Sequence, residues 1–489
     1  MITSPRIAII GAGMSGLCMA IKLQNAGIES YTIYELASDV GGTWRDNTYP
    51  GLSCDVPSRF YSYSFQPNPS WTHTFSSGTE IQAYFQRICD ERGIRPHIRF
   101  NTAVESACYQ DGRWRLRTRS GDRTDPVISD VIADVVVTAT GVLRIPRYPD
   151  IAGLDSFTGP MFHSARWDHS VSLSDKRIGL IGTGSSGVQI ITELAGKVRG
   201  LTVFQRTAQW VLPMPNRRYS RLIRSILEGF PRLNVVYYRL WQTFFERMFG
   251  RAVVEPGWRR RVVDTWCRWN LSRVRNPELR RRLTPDYRPM CKRLVMSAGY
   301  YRAMQKPGVH LVTEPIDHVE PTGIVTADGR RHELDMIVLA TGFEFHAYVR
   351  PLELRGENGL TLDEAWADGP RAYRTVAMPG FPNLFMLMGP HSPVGNQSLV
   401  LVAESQADYA LWWIDQLRRS RIASAAPTVE ATAKFNADMK AAMPQTIWVT
   451  GCRSWYLGRD GLPELFPWRP ERHRELLAEP VLADFDVST

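Results

Sequence analysis

The sequence predicts an α/β fold of two Rossmann-like dinucleotide-binding domains, the second inserted in the first and itself carrying a helical insertion. Three observations carry this expectation. A glycine-rich turn between an apolar strand and a helix occurs twice, beginning at Gly11 and at Gly182. Each turn is followed downstream by a buried-type run that reaches Ala-Thr-Gly, Val135 to Gly141 and Met336 to Gly342. Between Tyr219 and Pro289 the composition changes to arginines and aromatics at helical spacing.

In chain order, "RIAIIGAGMSGLCMAIKLQNAG" sets an apolar run before Gly11, Gly13 and Gly16 and helical spacing after them. The first two glycines allow the tight turn and close approach to a pyrophosphate. The third allows close helix packing, and the helix N-terminus favours the negative charge. The next run, "SYTIYE", ends in Glu35, near the ~20-residue offset at which an acid accepts from a ribose hydroxyl. At "KRIGLIGTGSSGVQIITELAG" the pattern recurs with Gly182, Gly184 and Gly187, and Ser185 and Gln189 join the expected cofactor contacts. The following strand, "LTVFQRT", ends in Arg206 and Thr207 instead of an acid. A guanidinium there pairs with a 2′-phosphate that a carboxylate repels, so the second nucleotide should be NADP and the first FAD or NAD. Thr341 and Gly342, at the second Ala-Thr-Gly, complete the predicted contacts. The boundaries that follow are 1–141 for the first part of the first dinucleotide domain, 142–156 for a linker and 157–218 for the first part of the NADP domain. The helical insertion is 219–289, the NADP domain resumes over 290–340, and 341–489 holds the rest of the first domain and the tail.

Composition narrows the alternatives. The chain has 489 residues, and 59 basic against 49 acidic side chains give a net charge of +10. That sign suits nucleic acid, a membrane surface or an anionic cofactor, but no nucleic-acid reader motif is present. Seven cysteines show no C-x-x-C pair and no zinc-ligand spacing, so no metal site is expected and a reducing cytoplasm fits. An apolar strand-type run starts just after Met1, so no signal peptide is expected. No uncharged run approaches the ~18 residues of a spanning helix, so a soluble or at most peripheral protein is expected.

Further motifs bear a resemblance. "FTGPMFHSARWD" fits the fingerprint F-x-G-x-x-x-H-x-x-x-W-[P/D] through Phe157, Gly159, His163, Trp167 and Asp168. Together with "GGTWRDNTYPGLSCD", "MCKRLVMSAGYY" and "SWYLG" it resembles the class B flavoprotein monooxygenases, and within them the Baeyer–Villiger monooxygenases, from about Arg6 to Gly458. The resemblance implies FAD at the first turn and NADPH at the second. It implies oxidation of a ketone by O2 to an ester or lactone through a flavin peroxide. Gly42, Thr43, Trp44 and Asp55 then fall on the flavin side, Arg293 is the active-site arginine paired with Asp55, and Trp455 lies near nicotinamide and substrate. Lys292 is expected to join Arg206 at the 2′-phosphate. The peroxide and the adduct both carry negative oxygen, which a fixed guanidinium stabilises. After "SWYLG" the chain departs from the family's glycine- and proline-rich continuation.

His163 lies between the first Ala-Thr-Gly and the second turn, so it is expected to set domain orientation without acting as an acid or base. An N- or S-oxidising relative would share both turns without needing Arg293 and Asp55, a disulfide reductase would need a redox cysteine pair, and a non-catalytic redox sensor would need neither the arginine nor the lysine. In the insertion, Tyr237, Trp241, Phe244, Phe245 and Met248 form one stripe and Trp258, Val262, Trp266 and Trp269 another. Packing on the body is preferred for both over a membrane-facing surface; a stripe that also bordered the pocket would favour a hydrophobic, bulky or long-chain ketone.

Overall fold

The computed structural model describes residues 4–121, 125–452 and 454–489. Ten strands build its two central sheets: β1 (Ile7–Ile10), β2 (Tyr31–Tyr34), β3 (Ile98–Arg99), β4 (Val135–Thr138), β5 (Met161–His163), β6 (Arg177–Ile181), β7 (Gly200–Phe204), β8 (Val309–Val312), β9 (Met336–Leu339) and β10 (Leu384–Met386). The first sheet runs β10-β4-β1-β2-β3 and the second β8-β7-β6-β9-β5, all parallel. Parallel strands covered on both faces are apolar throughout, which is why "IAII", "VVVT" and "MIVL" are buried at every position. The chain leaves the first sheet after β4, completes the second, and returns as β10. This is the inserted organisation the sequence predicts.

Each glycine turn opens a helix, α1 (Met14–Asn25) and α2 (Ser185–Leu194). A Cβ at Gly16 would stand 1.9 Å from the Gly11 carbonyl oxygen, and one at Gly187 would stand 2.3 Å from that of Gly182. Only glycine lets either helix pack this close to its own turn. A four-stranded sheet on the flank (Thr102–Gln110, Arg113–Ser120, Val127–Ala133 and Glu353–Arg355) belongs to the first domain and was not anticipated from the sequence. Its signal is the alternation of "RWRLRT", whose Trp114, Leu116 and Thr118 point inward.

The insertion forms α3 (Arg221–Gly229), α4 (Pro231–Phe245) and α5 (Trp258–Ser272), with short helices between and after. Though inserted in the second domain, it is held by the first. Asn234 of α4 accepts from Arg59 (3.1 Å) and donates to the Pro67 carbonyl (2.9 Å), and Tyr219 N–H donates to the Thr72 carbonyl (2.8 Å). Arg474 and Glu471 of the tail pair with Glu246 and Arg251. The two aromatic stripes depart from expectation. Phe245 is buried, but Tyr237 and Phe244 face outward, and in α5 Val263, Cys267 and Leu271 pack inward while Trp258, Trp266 and Trp269 are exposed. The inward faces are chosen by the fit to residues 59–72 and the strand Val211–Leu212, not by where the largest aromatics fall.

Candidate active site

Both glycine turns present helix N-termini fit for phosphate. Gly13 and Gly184 are the N-caps of α1 and α2, neither helix start has a side-chain cap, and neither first turn carries an acid. The first-turn N–H groups therefore keep their positive end for an anion. A Cβ on Gly184 would meet nothing within 4 Å, so the space over this turn is open. Glu35, at the end of β2, is buried beside the first turn. It accepts from the N–H of Ala12 (2.7 Å) and Ala37 (2.9 Å) and from Arg45 (2.9 Å), and a carboxylate with about four lone-pair positions has capacity left for a ribose hydroxyl. These donor and acceptor sets fit one dinucleotide at each turn.

The segment from Gly42 to Asp55 joins the two domains. Gly42 caps a one-turn helix that starts at Thr43, and Trp44 donates to the Tyr61 hydroxyl (3.0 Å). Tyr49 donates to the Gln189 side chain (2.8 Å) and accepts from Ser186 (3.0 Å), while the Gln189 amide donates to the Ser53 carbonyl (2.8 Å). Gln189 thus spends its side chain on the first domain. Tyr49 and Ser186, absent from the predicted site, share that seam. Burial pushes the Tyr49 phenol up to about 12, so it bridges as a neutral group.

At the end of this seam stands Asp55. Arg293 reaches it from the second domain with Nε (3.0 Å) and Nη2 (2.8 and 2.9 Å), and Nη1 donates to the Val394 carbonyl (3.1 Å). The guanidinium is a fixed cation, held above even its ordinary value by Asp55. Beside it is Tyr456, fully buried, its hydroxyl without a hydrogen-bond partner among the described residues and its pKa pushed up to about 12 by burial. Sequence reasoning selected the neighbouring Trp455 and missed Tyr456. Trp455 is 38 % exposed and packs on Phe345 and Tyr456.

Cys291 and Cys452 form a disulfide across 161 residues. The cysteine pattern, which shows no C-x-x-C pair and fits a reducing compartment, does not point to this bond, since partners so distant leave no spacing signature. The bond ties the strand segment holding Arg293 to the tail segment holding Tyr456.

Arg206 is exposed at the end of β7 beside Thr207, whose carbonyl accepts from Thr183 (3.0 Å). Lys292 lies over the Tyr287 ring at 4.6 Å. Burial holds its ammonium below the ordinary value; Asp286 opposes this, and the charge of Arg206 adds to it. The two cations therefore share one neighbourhood. Lys292 also points away from Asp55, to which its sequence neighbour Arg293 is bound.

Thr341 and Gly342 lie where the two chain crossings meet. Thr341 donates to the Arg147 carbonyl, Arg147 N–H to that of Gly342 (2.9 Å), and Glu344 N–H to that of Ile145 (2.9 Å). His163 ends β5, opposite Leu339 of β9, with its ring between Tyr148 of one crossing (5.7 Å) and Phe343 of the other (5.8 Å). Its Nδ1 accepts from Ala165 N–H (3.1 Å), and burial pushes its pKa down to about 4.

Residues 4–350 match the family described as flavin-binding monooxygenase-like. An uncharacterized monooxygenase of Mycobacterium tuberculosis is 55% identical over 99% of this chain and 96% of its own length. A Baeyer–Villiger monooxygenase of Streptomyces coelicolor is 40% identical over 93% and 87%. Cyclohexanone monooxygenase from Rhodococcus sp. Phi1, in a crystal structure bound to NADP+, superposes with a TM-score of 0.86 at 29% identity, covering 99% of both chains. With two glycine turns built for dinucleotides and a domain-bridging arginine, the chain belongs to the flavin-binding monooxygenase-like family and is an FAD- and NADPH-dependent flavoprotein monooxygenase of the Baeyer–Villiger type.

Proposed function

We propose that the chain uses NADPH and O2 to insert one oxygen atom beside the carbonyl of a hydrophobic ketone, giving an ester or lactone, NADP+ and water. The observation that carries this reading is the Arg293–Asp55 pair. Bound flavin supplies the electrons that activate O2. The side chains hold charge and position. Arg293 offers a permanent cation to negative oxygen developing at the reacting centre, where a preorganised donor acts without reorganisation. Asp55 fixes the guanidinium by a two-pronged contact and the Val394 carbonyl takes one N–H of Nη1, so part of its five-donor set is left for substrate. The neutral Tyr456 hydroxyl is a second donor in the same place. Gln189 and Tyr49 keep the two nucleotide domains in register, and Arg206 with Lys292 selects the 2′-phosphate of NADPH.

Oxidation of nitrogen or sulfur does not call for a cation of this kind, and the test separates the two. Purified FAD-loaded protein is incubated with NADPH, 18O2 and linear, cyclic and aryl ketones or a thioether, and products are weighed. Ester carrying one labelled oxygen is expected. Sulfoxide from the thioether with no ester from any ketone would overturn the proposal.

A further inference from the structure

Helix α4 buries one mixed face and turns a second, apolar row outward. Asn234, Tyr238, Gln242 and Phe245 face in, the first bonded to Arg59 and Pro67. Leu233, Leu240 and Phe244 face out, continuing a row begun by Leu222, Ile226 and Phe230 on and just after α3, each between 41 and 70 % exposed. Of the 23 large apolar side chains exposed among the described residues, ten fall between 222 and 244. A surface helix of a globular protein ordinarily keeps its outer face polar, and a contiguous apolar patch there marks an interaction face.

The charge is concentrated in the same place. Residues 219–289 contain sixteen arginines, no lysine and six acids, a net +10 equal to that of the whole chain, so the remainder of the molecule is balanced. At about 100° per residue, Arg232 and Arg239 of α4 fall along one edge of its apolar stripe. Arg221, Arg232, Arg239 and Arg247 are exposed, and none has a carboxylate partner among the described residues.

We propose that α3 and α4 form a docking face for an anionic lipid bilayer, lying in the plane of the interface with the apolar row in the acyl boundary and the arginines at the headgroups. Among the described residues no helix is long and apolar enough to cross a membrane, and α4, at about 22 Å, is short of the ~30 Å hydrocarbon core. Apolar side chains beside a basic rim are what interfacial binding requires. A second copy of this chain is disfavoured because a symmetric contact would set this strongly basic face against itself. The inference is independent of the reaction proposed above.

The test is flotation of the FAD-loaded full-length protein with vesicles of phosphatidylcholine alone or mixed equally with phosphatidylglycerol. Co-flotation with the anionic vesicles is expected, and binding should fall roughly tenfold or more in Leu222→Ser/Phe230→Ser/Leu240→Ser and in Arg221→Glu/Arg232→Glu/Arg239→Glu. Retained flavin absorbance shows that each variant is folded, and should the apolar triple variant lose flavin, the charge variant carries the test alone. Wild-type protein that stays unbound to both vesicle types, a folded charge variant that floats as well as the parent, or a concentration-dependent dimer abolished by the apolar substitutions would overturn the proposal.

Discussion

Arg293 and Asp55, 238 residues apart in sequence, share three hydrogen bonds of 2.8 to 3.0 Å, one residue from each nucleotide domain. The contact is therefore an ion pair and a domain contact at once, and in the reaction proposed above it ties the position of the cation to the seam between the domains.

Arg293→Ala is expected to retain FAD and to keep some flavin reduction by NADPH while ester formation falls on the order of a hundredfold or more. Arg293→Lys should recover only part of this, because an ammonium cannot make the two-pronged contact with Asp55. Product analysis beside stopped-flow reduction checks both. Ester formation at the parental rate in Arg293→Ala would remove the residue from the mechanism.

Arg206→Ala should raise the KM for NADPH by about tenfold, since a charge-assisted bond to phosphate is lost from an exposed position, and leave that for NADH nearly unchanged. Lys292→Ala should act in the same direction. Steady-state kinetics with both cofactors tests this, and equal effects on NADPH and NADH would place the 2′-phosphate elsewhere.

How much of this was legible in the sequence depends on the range of the signal. The runs around Ile9, Val136 and Val338 announced buried parallel strands because both faces of such a strand must be apolar. The paired glycine turns announced two nucleotides for an equally local reason, the space a Cβ would take. Arg293 and Asp55 were found only through the motifs around them, since nothing in their spacing brings them together. Tyr456 and the Cys291–Cys452 bond were missed because each is defined by a partner more than 150 residues away. The stripes of α4 and α5 show a third limit: helical periodicity gives the angle between side chains, not which angle meets the body.

The disulfide predicts a measurable linkage between the arginine segment and the tail. Peptide mapping without reduction should recover Cys291 joined to Cys452, and Cys291→Ser/Cys452→Ser should be less stable to denaturant by roughly 2–5 kcal/mol, the usual cost of losing a native crosslink. Because Tyr456 lies four residues beyond Cys452, the variant should also lose turnover while holding FAD. Free thiols at both positions in protein isolated without reductant would refute the bond.

His163 is expected to make stability depend on pH in a defined window. Its ring is buried between Tyr148 and Phe343 and titrates at about 4 in the folded protein, against ~6.5 for an unfolded histidine. Between these values the unfolded chain binds more protons, so stability rises with pH. The contribution is complete above ~6.5 and is lost as the pH falls through about 4, an effect on the order of 3 kcal/mol. His391 and His473, pushed down to about 4 and about 3 by burial, act in the same direction. His163→Asn keeps an acceptor for Ala165 N–H but no titrating group, so its urea midpoints at pH 4.5 and pH 7 should lie closer together than the parent's. If His163, which packs against both chain crossings, sets domain position as we propose, the same substitution should slow turnover without loss of FAD. A variant with the parental pH slope and unchanged rapid-mixing kinetics would leave His163 as packing alone.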